Sequence, residues 1–221
     1  MWRYLFVIVL LVLASCAPPK PVSWQPPLKE FFGAQGFASY QIDTPKGRFH
    51  GEAFVLAGAD FIYFEVPSPF GLTLYQGIVY ENHAEIIDFL RKQIYFFEFS
   101  FPKEIYSHWG NIFFGFFPYE WSKYATAYRE DKGFCLKVSF AGKKQVLAFF
   151  SDEGKLTSLE IKCPPAKLKF NYRENSTKLI IPRLRSKADF SYQGLRLLSS
   201  KPTMPQLFTP RGFKVLFYAI K

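Results

Sequence analysis

Apolar and polar residues alternate with a period of two along most of this chain, the pattern of strands with one buried face. Phe134, Leu136, Val138 and Phe140 alternate with Cys135, Lys137 and Ser139. Leu168, Phe170 and Tyr172 alternate with Lys167, Lys169 and Arg173, and Ala38, Tyr40 and Ile42 with Phe37, Ser39 and Gln41. Phe61 to Val66 is apolar at every position except Glu65, which predicts a strand covered on both faces. Further strands are predicted over 48–56, 72–80, 84–90, 93–99, 123–128, 143–150, 155–162, 177–181 and 214–220, with turns such as Pro45-Lys46-Gly47 between them. A short helix is predicted over 28–34, carrying Phe31 and Phe32. A longer one is predicted over 102–114, where Pro102 suits a first turn and Ile105, Trp109 and Ile112 share a face. About ten antiparallel strands of this length curl into an open or closed barrel.

The first 27 residues stand apart from this pattern. Leu5 to Leu13 are unbroken apolar residues, roughly 14 Å of helix, about half of a hydrocarbon core. That suits the core of a signal peptide and is too short for a permanent span. It ends in Leu13-Ala14-Ser15-Cys16, which resembles the bacterial lipobox. The resemblance implies cleavage after Ser15, a diacylglycerol on the Cys16 thiol and an acyl group on the new amine. Such multiple acylation is enough for stable anchoring. No other cofactor is expected. Ala17 follows in place of the aspartate that holds enterobacterial lipoproteins at the inner membrane. The expected location is therefore the cell envelope, on the periplasmic face of the outer membrane. Five prolines between Ala17 and Pro27 predict a stiff, extended tether. The expected organisation is a signal peptide over 1–15, a lipidated cysteine and tether over 16–27, and one domain over 28–221.

Composition sharpens this picture. One fifth of the 221 residues are Phe, Trp or Tyr, which favours strands and demands burial. The net charge of +10 is uneven: residues 1–122 sum to −3 and residues 123–221 to +13. A basic half suits an anionic partner. Nucleic acid is excluded by the expected location outside the cytoplasm, which leaves lipid surfaces and envelope proteins.

The domain resembles the LolA/LolB-like lipoprotein-carrier superfamily. The likeness rests on a lead helix before a strand near Gly36, and on Phe61–Val66 running into Pro67-Ser68-Pro69-Phe70-Gly71. It also rests on alternating strands and turns over 72–99, the helical segment 102–114, and the closing stretch Met204 to Val215. With the lipobox, it points to the membrane-anchored, LolB-like branch. The resemblance implies a mainly β (α+β) fold, an incomplete antiparallel β-barrel of about 10–11 strands, with a few helices covering or plugging an apolar cavity. It implies a receiver of lipoprotein acyl chains that hands them to the outer membrane, with membrane lipid and a soluble periplasmic carrier protein as partners. A monomer is expected. An exposed apolar residue on the loop after the third barrel strand would aid insertion. Pro69, Phe70 and Leu72 are the candidates, Phe70 foremost, although its ring could instead fold back as a plug. Soluble carriers place an arginine on the preceding strand to tie down the lid. Phe61–Val66 has none, which implies a looser lid or one held by packing alone.

Candidate cavity residues are Phe54, Phe64, Leu74, Leu136, Val138, Phe140 and Phe170; the same pattern also fits a filled core. Lys167, Lys169, Arg173, Arg183, Arg185 and Lys187 are candidates for an anionic surface, because residues 162–187 hold one acid, Glu174. The other reading is a solvated sheet face that keeps an aromatic protein soluble. Cys135 and Cys163 fall two strands apart in the predicted meander, about 9–10 Å, beyond the ~7 Å reach of a disulfide, so free thiols are expected. His50, His83 and His108 lie on separate elements without metal-ligand spacing, and there is no nucleophile elbow, P-loop or dinucleotide motif. No enzyme activity and no metal site are expected. A structural lipoprotein that scaffolds an envelope complex through a basic sheet face is the alternative function.

Overall fold

The computed structural model describes residues 20–208 and 210–220. Its strands are β1 (Pro21–Val22), β2 (Gly33–Thr44), β3 (Gly47–Gly58), β4 (Phe61–Pro67), β5 (Thr73–Tyr80), β6 (His83–Asp88) and β7 (Gln93–Phe99). Three short helices follow: α1 (Lys103–Tyr106), α2 (Trp109–Phe114) and α3 (Tyr119–Ser122). Then come β8 (Ala125–Glu130), β9 (Gly133–Phe140), β10 (Lys144–Phe150), β11 (Leu156–Cys163), β12 (Ala166–Arg173), β13 (Ser176–Ile181), β14 (Ser186–Leu197) and β15 (Lys214–Ile220). All lie in one sheet, ordered β1-β8-β9-β10-β11-β12-β13-β14-β2-β3-β4-β5-β6-β7-β15. The ends of that order, β1 and β15, do not pair with each other, so the barrel is incomplete, as expected.

The sheet wraps around the helices. Its inner face over β2 and β3 consists of small residues, Ala34, Gly36 and Ala38 opposite Ala57, Val55 and Ala53. These leave room for Ile105, Trp109, Ile112, Phe113, Phe117 and Trp121, which form one core with Leu136, Val138, Val146, Leu159, Ile161 and Phe170 from the opposite strands. Burying each such side chain stabilises the fold by roughly 1.5–3 kcal/mol.

Several elements differ from the sequence reading. There are fifteen strands instead of 10–11. No helix forms over 28–34: Pro27 and Gly33 leave too few residues to repay helix nucleation, and pairing from Gly33 onward wins. Phe31 is still buried, 4.8 Å from the ring of Phe116. The predicted helix 102–114 is broken at Ser107-His108 into α1 and α2, and α3 was not predicted. β14 was also missed, though Ala188, Phe190 and Tyr192 do alternate with Lys187, Asp189 and Ser191. β15 runs parallel to β7, so the sheet is not wholly antiparallel. The described end of the tether is extended but lies on the domain: Pro21 and Val22 pair with β8, and Trp24 stacks on Phe134 at 4.2 Å.

Candidate functional site

Antiparallel pairing gives the barrel two rims. One carries the turns 45–46, 68–72, 89–92, 141–143, 164–165 and 182–185; the other carries 59–60, 81–82, 131–132, 151–155 and 174–175. The helices fasten to the second rim and to the adjacent inner wall. Trp109 Nε1 donates to the Glu81 carbonyl at 2.8 Å, and the Gly110 N–H to the Ala59 carbonyl at 2.9 Å. Tyr172 Oη donates to the Ile112 carbonyl at 2.5 Å, and Thr177 Oγ1 to the Phe113 carbonyl at 2.9 Å. Trp121 Nε1 ties α3 to the Glu104 carbonyl at 2.8 Å. The expectation of a lid held loosely or by packing alone is therefore corrected. An indole and a backbone amide bind carbonyls of the rim turns, and two hydroxyls satisfy carbonyls near the end of α2. Burial pushes the Tyr172 phenol well up from its ordinary value.

On the side of β2 to β7 the helical core stops short of the other rim. Along β2, β4, β5, β6 and β7 several inner-face residues lie outside that core and are only half-buried: Tyr40, Phe64, Val66, Tyr75, Ile86, Tyr95 and, nearer the second rim, Phe97; Asp88, at the rim end of β6, is fully buried. Two glycines make this surface possible. A Cβ at Gly77 would stand 2.2 Å from the Phe64 ring, and one at Gly51 would stand 2.8 Å from Tyr40 Oη. Tyr218 of β15 extends the surface, stacking on Phe97 at 5.3 Å. The result is a half-buried, largely aromatic stretch of the inner face, a saddle on the strands that carry the Phe70 turn.

The turn 68–72 is closed by its own hydrogen bonds. Ser68 Oγ accepts from the N–H groups of Phe70 and Leu72 at 3.2 and 3.0 Å, and the Ser68 N–H donates to the Leu72 carbonyl at 2.6 Å. Gly71 takes φ +76°, the left-handed region a glycine enters without steric cost. This turn holds Phe70 91% and Leu72 70% exposed; Phe70 does not fold back as a plug.

The candidate cavity residues separate into three groups. Phe64 belongs to the saddle. Leu136, Val138, Phe140 and Phe170 do face inward, but the first, second and fourth are buried in the helical core, and Phe140 meets the Trp121 ring at 6.0 Å; they are packing residues. Phe54 and Leu74 face the outer side. Phe54 packs there with Phe61, Tyr63, Ile78 and Leu207 of the segment leading to β15. One shallow pocket of about 250 Å³ lies between Val22–Pro26 and β8. Another of about 410 Å³ lies beside Glu130–Lys132 and Phe149. Both are partly lined by polar or charged groups.

The basic stripe is also rearranged. Lys167 and Lys169 reach Glu160 at 3.4 and 3.1 Å, Lys187 reaches Asp43 at 3.1 Å, and Arg173 ends β12. The hydrogen bond from Arg48 and then that from Lys187 hold the Asp43 carboxyl down at about 2. Partial burial opposes ionisation of Glu160, but Lys169 and Lys167 outweigh it and its value is lowered. These acids come from neighbouring strands, so a count along the sequence could not find them. Arg183 and Arg185 stand elsewhere, on the Phe70 rim. Cys135 and Cys163 are free and buried, far apart along the sheet and on opposite faces of it. Among the described residues, no three metal-ligating side chains converge. Cys16 lies outside the described residues.

No family model matches the chain, and no curated protein matches it. Solved structures do. A DUF1329 family protein from Desulfovibrio piger matches with a TM-score of 0.46 and 9% identity, over 76% of this chain and 87% of that one. A LolA superfamily protein from Nitrosomonas europaea matches with a TM-score of 0.46 and 9% identity, over 80% and 90%. An uncharacterized conserved protein from Thermus thermophilus matches with a TM-score of 0.34 and 13% identity, over 84% and 90%.

Proposed function

We propose that this is a lipid-anchored envelope protein that takes an acyl chain, from a lipoprotein or another lipid, onto the aromatic saddle and promotes its insertion into the outer membrane. The chemistry is binding and release. Cys16 carries the anchor, and a soluble periplasmic carrier supplies the cargo. The observation that supports this most is the uncovered inner face from Tyr40 to Phe97 beside an exposed Phe70. An apolar chain laid there gains contact with half-buried rings, and Phe70 gains roughly 2 kcal/mol on entering an apolar environment.

Mass spectrometry of non-covalently bound lipid, extracted from the purified protein, tests the reading. Bound acyl lipid, lost on Phe64→Asp, is the expected result. Phe70→Glu should stop delivery to a membrane and leave the thermal midpoint unchanged. A lipid-free protein that delivers normally with Glu at position 70 would refute the proposal. One observation favours a second reading, a scaffolding lipoprotein. The barrel interior near the second rim is filled by Trp109, Ile112, Phe113 and Trp121, so a ligand has only the saddle to occupy.

A further inference from the structure

Hydrogen-bond register sorts the hairpin turns by charge, although the sequence alternates between the rims. The six turns of the Phe70 rim contain Lys46, Arg91, Lys92, Lys143, Arg183 and Arg185 and no acid. The five turns of the opposite rim contain Asp60, Glu81, Asp131, Asp152, Glu153 and Glu174 against two lysines. Of the carboxylates close to the first rim, Asp43 is paired with Arg48 and Lys187 and Asp88 with Arg91, while Glu65 accepts hydrogen bonds from Thr73 and Tyr63. Apolar side chains sort the same way. Besides Phe70 and Leu72, Leu90 is 65% and Leu184 44% exposed on the cationic rim, while the acidic turns contain no large apolar residue.

Cations and apolar tips on one level, from different hairpins, match a surface that is anionic outside and apolar just beneath. We propose that this rim docks end-on onto an anionic phospholipid surface. Leu90 and Leu184 then enter the interface beside Phe70 while the Lys and Arg heads meet the phosphates. An acidic protein would satisfy the cations but would have to cover apolar tips scattered over three turns. The opposite rim faces away, repelled by its own carboxylates. The inference rests on the reading that Cys16 is acylated, and the geometry allows both attachments at once. Cys16 precedes Pro21 by five residues, at most about 17 Å of chain. Pro21 pairs with Tyr128, three residues, about 10 Å, from the end of β8 on the cationic rim and two residues from its end on the acidic rim. β1 runs from the acidic toward the cationic rim, so the chain before Pro21 must turn back to place the anchor at the cationic rim, and five residues are long enough to do so.

The test uses the full, acylated chain reconstituted into vesicles of phosphatidylglycerol and phosphatidylcholine, or of phosphatidylcholine alone. Leu90→Cys carries an environment-sensitive fluorophore, and Lys132→Cys carries it on the opposite rim as the control. Burial pushes the Cys135 and Cys163 thiols up to about 11, so they stay unlabelled in the folded protein. On anionic vesicles the fluorophore at position 90 should shift to the blue and be shielded from aqueous iodide, and that at 132 should not. About 1 M salt, with a ~3 Å screening length, should reverse the shift. Lys92, Lys143 and Arg185 all have positive φ, which asparagine tolerates. Converting these three to Asn should weaken docking about a hundredfold, roughly fivefold per cation. The proposal is overturned if position 90 stays aqueous on anionic vesicles, if both rims are shielded equally, or if neutral vesicles shield as well. The first outcome would assign the rim to an acidic protein. Bound acyl lipid with an aqueous rim would sink this inference alone; a docked rim on a lipid-free protein would sink the function proposed above alone.

Discussion

Gly110→Ala tests how tightly the helices seat in the barrel. Gly110 lies in α2 against the β3–β4 turn, and an ideal Cβ there would stand 1.8 Å from the Gly58 carbonyl oxygen, 2.9 Å from its carbon and 3.1 Å from the Phe31 ring. An ordinary C···O contact is about 3.3 Å, so backbone must give by roughly 1.5 Å. A gap of even 0.5–1 Å forfeits about a quarter to a half of a contact's attraction. Trp109, Ile112 and Phe113 ride on the same helix, so overpacking and lost contact together cost about 3 kcal/mol, and the Gly110 N–H to Ala59 bond adds about 1. Replacing glycine inside a helix returns about 1 kcal/mol of propensity. The clash wins by about 3 kcal/mol, which lowers the thermal midpoint by roughly 6–12 °C in a chain of this size. Far-UV circular dichroism on heating, with a urea series for the free energy, measures it. A midpoint equal to or above the parent would mean that propensity outweighs contact, and that the helices do not press on the β3–β4 turn.

Two further outcomes are expected. Tyr172→Phe removes one fastening of the α2 carbonyls and should lower stability by about 1 kcal/mol, read as a lower urea midpoint at unchanged slope; an unaltered midpoint would show that the Ile112 carbonyl needs no such partner. Burial lowers the values of His83 and His108, only partly offset by acids such as Glu81 and Glu120. The unfolded chain, titrating near 6.5, then binds protons before the folded one, so stability is complete above about pH 6.5 and falls as pH drops through the folded values. Urea midpoints between about pH 7.5 and 5.5 should decline, and His83→Gln with His108→Gln should flatten the decline; a flat parent profile would refute it.

Strands with one polar face were readable in the sequence because alternation at period two is local. β9 and β12 appear where Phe134–Phe140 and Leu168–Tyr172 alternate. The helical interruption was also readable, but its ends were not. Ile105, Trp109 and Ile112 share one face whether the helix is continuous or, as here, broken at Ser107-His108. The predicted helix over 28–34 failed because Phe31 marks burial but does not say which backbone delivers the ring.

The candidate site divides along the same line. Phe70 on a Pro-Phe-Gly turn announces an exposed tip, and the closure of that turn by Ser68 shows only in its hydrogen bonds. Phe54 and Leu74 alternate as inward residues would, yet inside and outside cannot be told apart until the helices choose a face. Lys167 and Lys187 look unpaired along the chain because Glu160 and Asp43 come from other strands.

By itself, then, the sequence determined what is local: strand periodicity, turn positions, an aromatic surplus and a +13 half. Only the tertiary structure decided that the helices fill most of the interior and leave an aromatic saddle uncovered along β2 to β7. It alone brought Lys46, Lys92, Lys143 and Arg185, spread over 140 residues, onto a single rim without an acid. The reason is that an antiparallel sheet returns the chain to the same rim at every second turn, so its charge sorting is set by strand pairing and not by distance along the chain.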